Sequence, residues 1–372
     1  MHSNCCVRLK PLYGYGYCID INHSTVKEIL AAYGFDETQT VLQSFGNGLI
    51  NHTWKLQHGE DQFILQKINV AIFKSPELIA ANIRLVADYL KTQYPEYLFA
   101  APLQTLARQD MLHTDDGYYR LFPFVPGTHS IDVVEKPAQA YEAAKQFARF
   151  TKRLSKLDAH QLKITLPDFH NLSLRYQQFE QALITGDADR IQSSKDLINY
   201  LQSQKQIVSS FEFVQQHFTL RCTHHDTKIS NVLFDEHDHG VCVIDLDTLM
   251  PGYFISDLGD MMRTYLCPVS EEEADYSKIM IRGEFYDAII RGYLEEMGDE
   301  LTSTEKEYLS YSGKFMIYMQ ALRFLTDHLN RDVYYGARYE GQNLVRAGNQ
   351  AVLLKKLIDW SGHLSGLTTT PN

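Results

Sequence analysis

Four oxygen-bearing side chains stand in a telling order within "CTHHDTKISNVLFDEHDHGVCVIDLDTLMPG", residues 222–252. Asp226 comes first, Asn231 follows five positions later, and Asp245 and Asp247 close the apolar run "VCVIDL". Carboxylate and amide oxygens converging near strand ends suit Mg²⁺, which takes few protein ligands and leaves its remaining positions to water and phosphate oxygens. In phosphoryl transfer, one Asp accepts the proton of the attacking hydroxyl. An Asn five residues on and an Asp on the next strand carry the metal. Residues 224–231 have this His-x-Asp-x-x-x-x-Asn form. The pattern therefore makes Asp226 a candidate base, with Lys228 placed to neutralise phosphoryl charge. Asn231 and Asp245 become candidate metal ligands, and Asp247 a neighbouring or second one. His224 is expected to pack and hold the loop, and His237 and His239, in the turn "DEHDHG", to be solvated.

A loop of this kind needs a frame, and the hydropathy pattern supplies one. "NVLF" and "VCVIDL" read as a buried hairpin whose second strand ends at 243–247. Around it the texture is helical: 137–157, 172–183, 193–217, 256–266, 281–297, 303–330 and 343–361. Upstream, 24–34 reads as a short helix stopping at Gly34. "TVLQSFGNGLINHTWKLQHGEDQFILQKIN" reads as three strands with turns at Gly46–Gly48 and "HGED", and further strands are expected at 101–107 and 117–125. Between them lies a helix begun by Ser75 as N-cap and Pro76 at its first position, with Ile79, Ile83, Val86 and Leu90 in one stripe. Asn82 falls inside that stripe and Glu77 opposite it, so Asn82 is the expected inward polar group. The expected fold is α+β: a tail over 1–22, a small β-rich N-terminal lobe over 23–125 and a larger, mainly helical lobe over 126–372.

Composition narrows the partners. A formal charge of −11 over 372 residues argues against a nucleic-acid or anionic-membrane binder, whose surfaces need clustered cations. The six cysteines show no paired spacing and two lie in apolar runs, which points to a reduced, cytosolic protein. No apolar run approaches the roughly 18 residues of a membrane span. Oligomeric state is not encoded in any pattern found.

"THHDTKISNVLF", "VIDLDTLMPG" and "SDLGDMMR" together resemble the aminoglycoside/choline-kinase-like phosphotransferases. Within these the sequence is most similar to the N-acetylhexosamine 1-kinases, through "FGNGLINHTWKL", "FILQKIN", "LPDFHNLSLRY" and "LRFLTDHLNRDVYY". The resemblance spans roughly residues 40–360. It implies a protein-kinase-like two-lobe fold, ATP and Mg²⁺ as cofactors, and transfer of the γ-phosphoryl group to a small-molecule hydroxyl, here the anomeric hydroxyl of an N-acetylhexosamine-like sugar. On the nucleotide side, Gly46, Gly48, Asn51 and Thr53 are expected to cover the phosphates and Lys67 to pair with them. Phe122 and Phe124 would pack near adenine. Lys67 lacks an obvious helix carboxylate, since Glu77 projects to solvent.

The acceptor side is expected in His170, Arg175, Arg323, Asp327 and Tyr334, with Arg323 and Asp327 an i,i+4 pair on one helix flank. Related sequences carry Gly near Arg331, so this bulky residue is expected to reshape the pocket. Choline, an aminoglycoside, homoserine or methylthioribose are alternative acceptors. A two-metal hydrolase built on His224, His225, Asp226, Asp245 and Asp247 is a different enzyme class, and a non-catalytic binding protein a third. Retention of Asp226, Asn231 and Asp245 weighs against the last.

Overall fold

The structure, a computed structural model, describes residues 21–46 and 50–367. Gly48 and nearly all of the 1–22 tail lie outside the described residues. The chain forms two compact units, one of residues up to 128 together with 162–166, the other of 129–161 and 167 onward.

In the small unit, Asn22 caps helix α1 (His23–Tyr33) by accepting the Thr25 N–H at 2.8 Å, and Gly34 ends it in the left-handed conformation, φ 76°. The strands are β1 (Thr40–Ser44), β2 (His52–His58), β3 (Asp61–Lys67), β4 (Leu112–Thr114) and β5 (Gly117–Pro123), in the antiparallel order β1-β2-β3-β5-β4. Alternate residues face α1, so Leu42, Trp54, Leu56, Leu65, Tyr119 and Leu121 bury against Val26, Ile29 and Leu30.

Helix α2 (Pro76–Gln93) buries Ile79, Ile83, Val86 and Leu90 as its periodicity requires. Ser75 stands at the N-cap position but makes no side-chain cap bond. Asn82, 1% exposed, accepts the Lys163 N–H at 2.7 Å and donates to the Lys163 carbonyl at 2.8 Å. This two-way bond draws 162–166 into the small unit, a segment the sequence reading left with the large lobe. The expected strand at 101–107 does not form. Leu103 N–H reaches the Leu121 carbonyl at 2.7 Å, but Pro102 has no N–H and no ladder continues.

The large unit holds β6 (His129–Ser130), α3 (Pro137–Arg153), α4 (Leu172–Thr185), α5 (Ala188–Ser193), α6 (Lys195–Ser203) and α7 (Gln206–His217). Next come β7 (Arg221–Thr223), β8 (Val232–Phe234), β9 (Gly240–Val243), β10 (Met250–Gly252) and α8 (Phe254–Tyr265). Helices α9 (Gly283–Met297), α10 (Ser303–Glu307), α11 (Leu309–Leu329) and α12 (Gln342–Leu367) complete it. The long helices expected over 193–217 and 303–330 are each broken, at Ser194, at Gln204–Lys205 and at Tyr308. Helix α8 is buried on nearly every side and packs on α11, α9 and α3, as an apolar helix at the centre of a domain must.

Replacing Asn82 by Leu keeps the apolar stripe but strips both partners from the Lys163 backbone. Denaturant unfolding is expected to show a loss of about 2–4 kcal/mol, the cost of two unsatisfied backbone groups. A loss below about 1 kcal/mol would mean that the 162–166 segment is not held through Asn82.

Candidate active site

Two short antiparallel ladders bracket the polar loops. At one end Val232 pairs with Val243, and Ile244 N–H continues to the Asn231 carbonyl at 2.9 Å. At the other Thr223 pairs with Met250. Between them run residues 224–231 and 244–249. The expected strand over 243–247 stops at Val243. Asp245 is left-handed, φ 62°, and Asp247 sits in a buried 3-10 turn, Leu246–Thr248. A β-extended Asp245 would send the chain onward along the hairpin. The left-handed turn brings it back instead to β10.

Helix α8 fixes the first loop through two carboxylates. Asp257 accepts the backbone N–H of His224 (3.1 Å) and His225 (2.7 Å), and its carbonyl accepts the Thr227 hydroxyl at 2.7 Å. Asp260 accepts the Thr227 N–H at 2.9 Å and is paired with Arg263 at 3.0 Å. Burial pushes the Asp257 carboxyl up to about 6 and raises Asp260 as well, with Arg263 opposing the rise. Tyr265 donates to the Thr227 carbonyl at 2.5 Å.

His224 is fully buried, edge-on to Phe147 and Phe150, and its Nε2–H donates to the Ile244 carbonyl at 2.9 Å. It thus ties the two loops together as the sequence suggested. His225 is held at φ 69°. Its Nε2–H points to the Pro251 carbonyl at 3.3 Å, so Nδ1 is the acceptor for His170 Nδ1–H at 3.2 Å. Gly252 makes room for that ring, because a Cβ there would lie 2.5 Å from His225 Cε1. Burial lowers His225 to about 4 and His170 well below the usual histidine value.

At the loop's tip, Lys228 Nζ lies 3.0 Å from Asp226 Oδ2. Burial pulls this ammonium down, but the charges of Asp226 and Asp245 outweigh it and hold its pKa above the ordinary value. Asn231 Nδ2 donates to the Asp226 carbonyl at 2.9 Å, which commits the amide nitrogen and reserves Oδ1. The side chains that Asp226, Asn231, Asp245 and Asp247 place on these two loops carry oxygen donors, the kind that Mg²⁺ takes. Among the described residues no three His, Cys, Asp or Glu side chains gather as a metal cage. The two-metal hydrolase reading therefore lacks its ligand set. His237 and His239 are exposed in the hairpin turn.

The small unit separates the expected nucleotide residues. Lys67 pairs across the sheet with Tyr119 and shares the α1 face with Trp54 and Leu65; its Nζ lies 2.9 Å from Asp116, which also accepts from the Tyr119 hydroxyl. Its carboxylate partner is therefore Asp116, not the helix residue Glu77. Thr53 is on the opposite face, beside Gln66, so Lys67 and Thr53 do not flank one phosphate group. Asn51 accepts the Asn69 N–H at 3.0 Å and anchors that turn. Gly46 is left-handed, φ 73°, at the end of β1. Phe122 lies against Arg120, and Phe124 beneath Lys55 and edge-on to Phe45. Sequence reasoning passed over Arg120, buried on the Thr53 face and bonded to Gln66 at 2.9 and 3.1 Å. The signal was present in "YYRLF", an arginine alternating with apolar residues that bury on the other face.

Of the expected acceptor residues, Arg175, Arg323, Asp327 and Tyr334 line a groove of about 340 Å³ between α4, α11 and the 334–335 turn, whereas His170 lies outside that lining, against His225. Arg175 donates to the Asp168 carbonyl (2.8 Å) and Gln178 (3.0 Å), and Arg323 to Gln320 (2.9 Å) and the Tyr334 hydroxyl (3.4 Å). Asp327 is not Arg323's partner. It is buried and accepts the N–H groups of Tyr334 (2.7 Å) and Tyr335 (2.9 Å) and an Asn343 amide proton (3.1 Å). Its role is to shape the turn, since a buried carboxylate at a helix end satisfies the amides of a returning loop. Arg331 does not line the groove; at φ 63° it swings out to Asp187 at 3.0 Å.

A small antiparallel sheet with its own helices, a larger helical unit, and an Asp–Asn–Asp set on a strand-framed loop define a two-lobe, protein-kinase-like fold. The model of the phosphotransferase enzyme family matches residues 41–302. The chain belongs to that family. Among solved structures it is similar to an aminoglycoside phosphotransferase from Alicyclobacillus acidocaldarius (14% identity, 96% of this chain and 100% of that one covered, TM-score 0.62). It is also similar to a microcompartment-associated aminopropanol kinase (14%, 92% and 99%, TM-score 0.60) and to a spectinomycin phosphotransferase in complex with ADP and spectinomycin (13%, 91% and 99%, TM-score 0.57). Among the described residues no helix is long and apolar enough to cross a membrane.

His225 stays neutral in the folded protein down to about pH 4, whereas the unfolded chain protonates it near 6.5. Its contribution to stability is therefore complete above pH 6.5 and is lost as pH falls from there towards 4. His225→Asn tolerates the left-handed backbone. Between pH 7 and 5 the variant is expected to lose about 2 kcal/mol less stability than the parent. Taking the difference between the two profiles removes the opposite contribution of Asp257. Parallel profiles would show that His225 does not report on folding.

Proposed function

We propose that this protein transfers the γ-phosphoryl group of ATP to the hydroxyl of a small acceptor, and that the acceptor is a sugar of the N-acetylhexosamine class phosphorylated at its anomeric oxygen. The observation that carries the reading is the gathering of Asp226, Lys228, Asn231 and Asp245 on two loops locked by a shared frame. The Asp226 carboxylate orients the hydroxyl and takes its proton as the new O–P bond forms and the bond to the β-phosphate oxygen breaks. Lys228, kept cationic beside it, offsets charge on the group in transit. Asn231 Oδ1, Asp245 and Asp247 would hold Mg²⁺, which when bound neutralises phosphate charge.

In the small unit we assign the phosphate-facing cation to Arg120 rather than Lys67, because Arg120 shares its sheet face with Thr53 and Gln66 whereas Lys67 lies on the α1 face with Trp54 and Leu65. The acceptor assignment draws on the resemblance described above and on the groove. Two guanidinium groups beside Tyr334 and Tyr335 repel a cationic acceptor such as choline or an aminoglycoside, and aromatic faces with planar donors suit a sugar ring. The reaction belongs in the cytosol, where ATP is at hand and the buried thiols of Cys222, Cys242 and Cys267 stay reduced.

Screening ATP consumption against sugars and amino alcohols tests the reading. Turnover is expected with N-acetylhexosamines, and none with any hydroxyl compound would remove it. Asp226→Asn is expected to retain calorimetric binding of ATP and sugar while kcat falls about a hundredfold or more, the scale of a lost general base. Asp245→Ala is expected to abolish turnover with the fold intact by circular dichroism. For the nucleotide, Arg120→Met should raise the KM for ATP about tenfold or more, as loss of a charged hydrogen bond does. Lys67→Met should change it little, and the reverse ranking would return the phosphates to Lys67.

A further inference from the structure

The groove over α4 and α11 contains an electrostatic imbalance that a neutral sugar does not answer. Arg175 and Arg323 both line it and both are half-buried. Among the described residues neither guanidinium has a carboxylate within ion-pair distance: their partners are two amide side chains, a backbone carbonyl and a phenol. Burial depresses the Arg175 pKa, and the nearby Arg323 charge lowers it further. The lining carboxylate, Asp327, already accepts three N–H donors, and the nearby Asp168 accepts from Asn171 at 2.9 Å.

Several other arginines in the same unit are matched with acids. Arg263 takes Asp260 and Glu271, Arg346 takes Glu271, and Arg221 takes Glu305. The groove pair has no such match, and unlike Arg282, whose guanidinium is taken up by the Val134 and Tyr265 carbonyls, it sets two cations side by side. Burying like charges without a counter-ion costs free energy unless a ligand supplies the anion. Two further lining residues, Thr326 and Tyr335, have buried hydroxyls with no hydrogen-bond partner among the described residues, and both can donate.

The groove is linked to the catalytic loop by side-chain contacts. His225, next to Asp226, meets His170 at 3.2 Å; His170 stacks on Phe169 at 4.4 Å; and the Arg323 guanidinium lies 5.9 Å from the Phe169 ring centre. A ligand with its reacting hydroxyl at Asp226 would place its far end, not its reacting end, among the arginines.

We propose that the acceptor carries an anionic group, a carboxylate, sulfate or phosphate, on the part remote from the transferred hydroxyl, and that Arg175 and Arg323 bind it. This rests on the reading that Asp226 faces the acceptor hydroxyl. Planar guanidinium forks match the paired oxygens of such groups, and the donors of Tyr334 and Tyr335 can complete the set.

The test is calorimetric binding to the intact protein without nucleotide, using pairs that differ in one charge: N-acetylglucosamine against its 6-sulfate and its 6-phosphate, and glucose against glucuronate. The charged member is expected to bind about tenfold or more tightly in at least one pair, as a charge-assisted bond provides. Arg323→Gln and Arg175→Gln should bring that pair within about threefold, while Arg323→Lys should recover part of the preference. The sulfate, phosphate and carboxylate arms identify the anion. Equal affinity within every pair, no binding by any compound, or a preference that survives both Gln variants overturns the proposal. Absence of ATP turnover with every acceptor would sink the kinase reading alone, because the binding preference is read without ATP.

Discussion

The Asp257 carboxylate, buried in the first turn of α8, receives two consecutive backbone amides, those of His224 and His225. The remaining geometry of the site depends on this contact. It holds His225 in the left-handed region, and that turn places Asp226 beyond the end of β7. Asp260, one turn later, takes the Thr227 amide and so fixes the other side of Asp226. Removing either carboxylate would leave buried amides without partners and release the residue between them. The raised pKa of both acids reflects what that rigidity costs: the charges persist in a helix that is otherwise apolar because amides and Arg263 surround them.

The two ladders make the second contribution. Each is short, and neither would be stable as an isolated hairpin. They persist because β7 is buried along its whole length and β9 packs under α3. Closing the chain at both ends leaves the intervening residues no register to slip into, which is how left-handed Asp245 can be sustained.

Much of this was legible in the sequence because the relevant order is local. The spacing of Asp226 and Asn231, the hairpin "NVLF…VCV" and the stripe on α2 are short-range patterns, and the inward turn of Asn82 follows from helix projection. What could not be read is where a polar group finds its partner. Asn82 meets Lys163 across 81 residues, and Asp327 is taken up by a turn that folds back over the end of α11. The i,i+4 rule links Arg323 and Asp327 on the helix surface, but it does not anticipate a returning loop with two better donors and a third from Asn343 of α12. The surroundings of Lys67 were missed for a different reason. Counting by two from Trp54 and Leu65 puts it on the α1 face, where its ammonium meets Asp116, a partner that strand parity alone does not name. Asp257 and Asp260 were visible as acids inside "SDLGDMM", where burial among apolar residues is itself the sign of an internal partner.

The site is also divided in how the chain encodes it. Every residue of the catalytic frame, from Arg221 in β7 to Tyr265 in α8, lies in one uninterrupted stretch, so its loop-closure entropy is modest and its contacts can form early in folding. The groove instead joins α4 to the end of α11, across roughly 140 residues, and can be completed only after the helices between them have packed. The loop frame is therefore encoded in a single segment, whereas the groove is assembled from distant ones. Exchange of residues along α4 and the 334–335 turn can reshape the groove without disturbing how the loop is held. In a chain of this design, the lining of the groove can change while the geometry of the loop stays fixed.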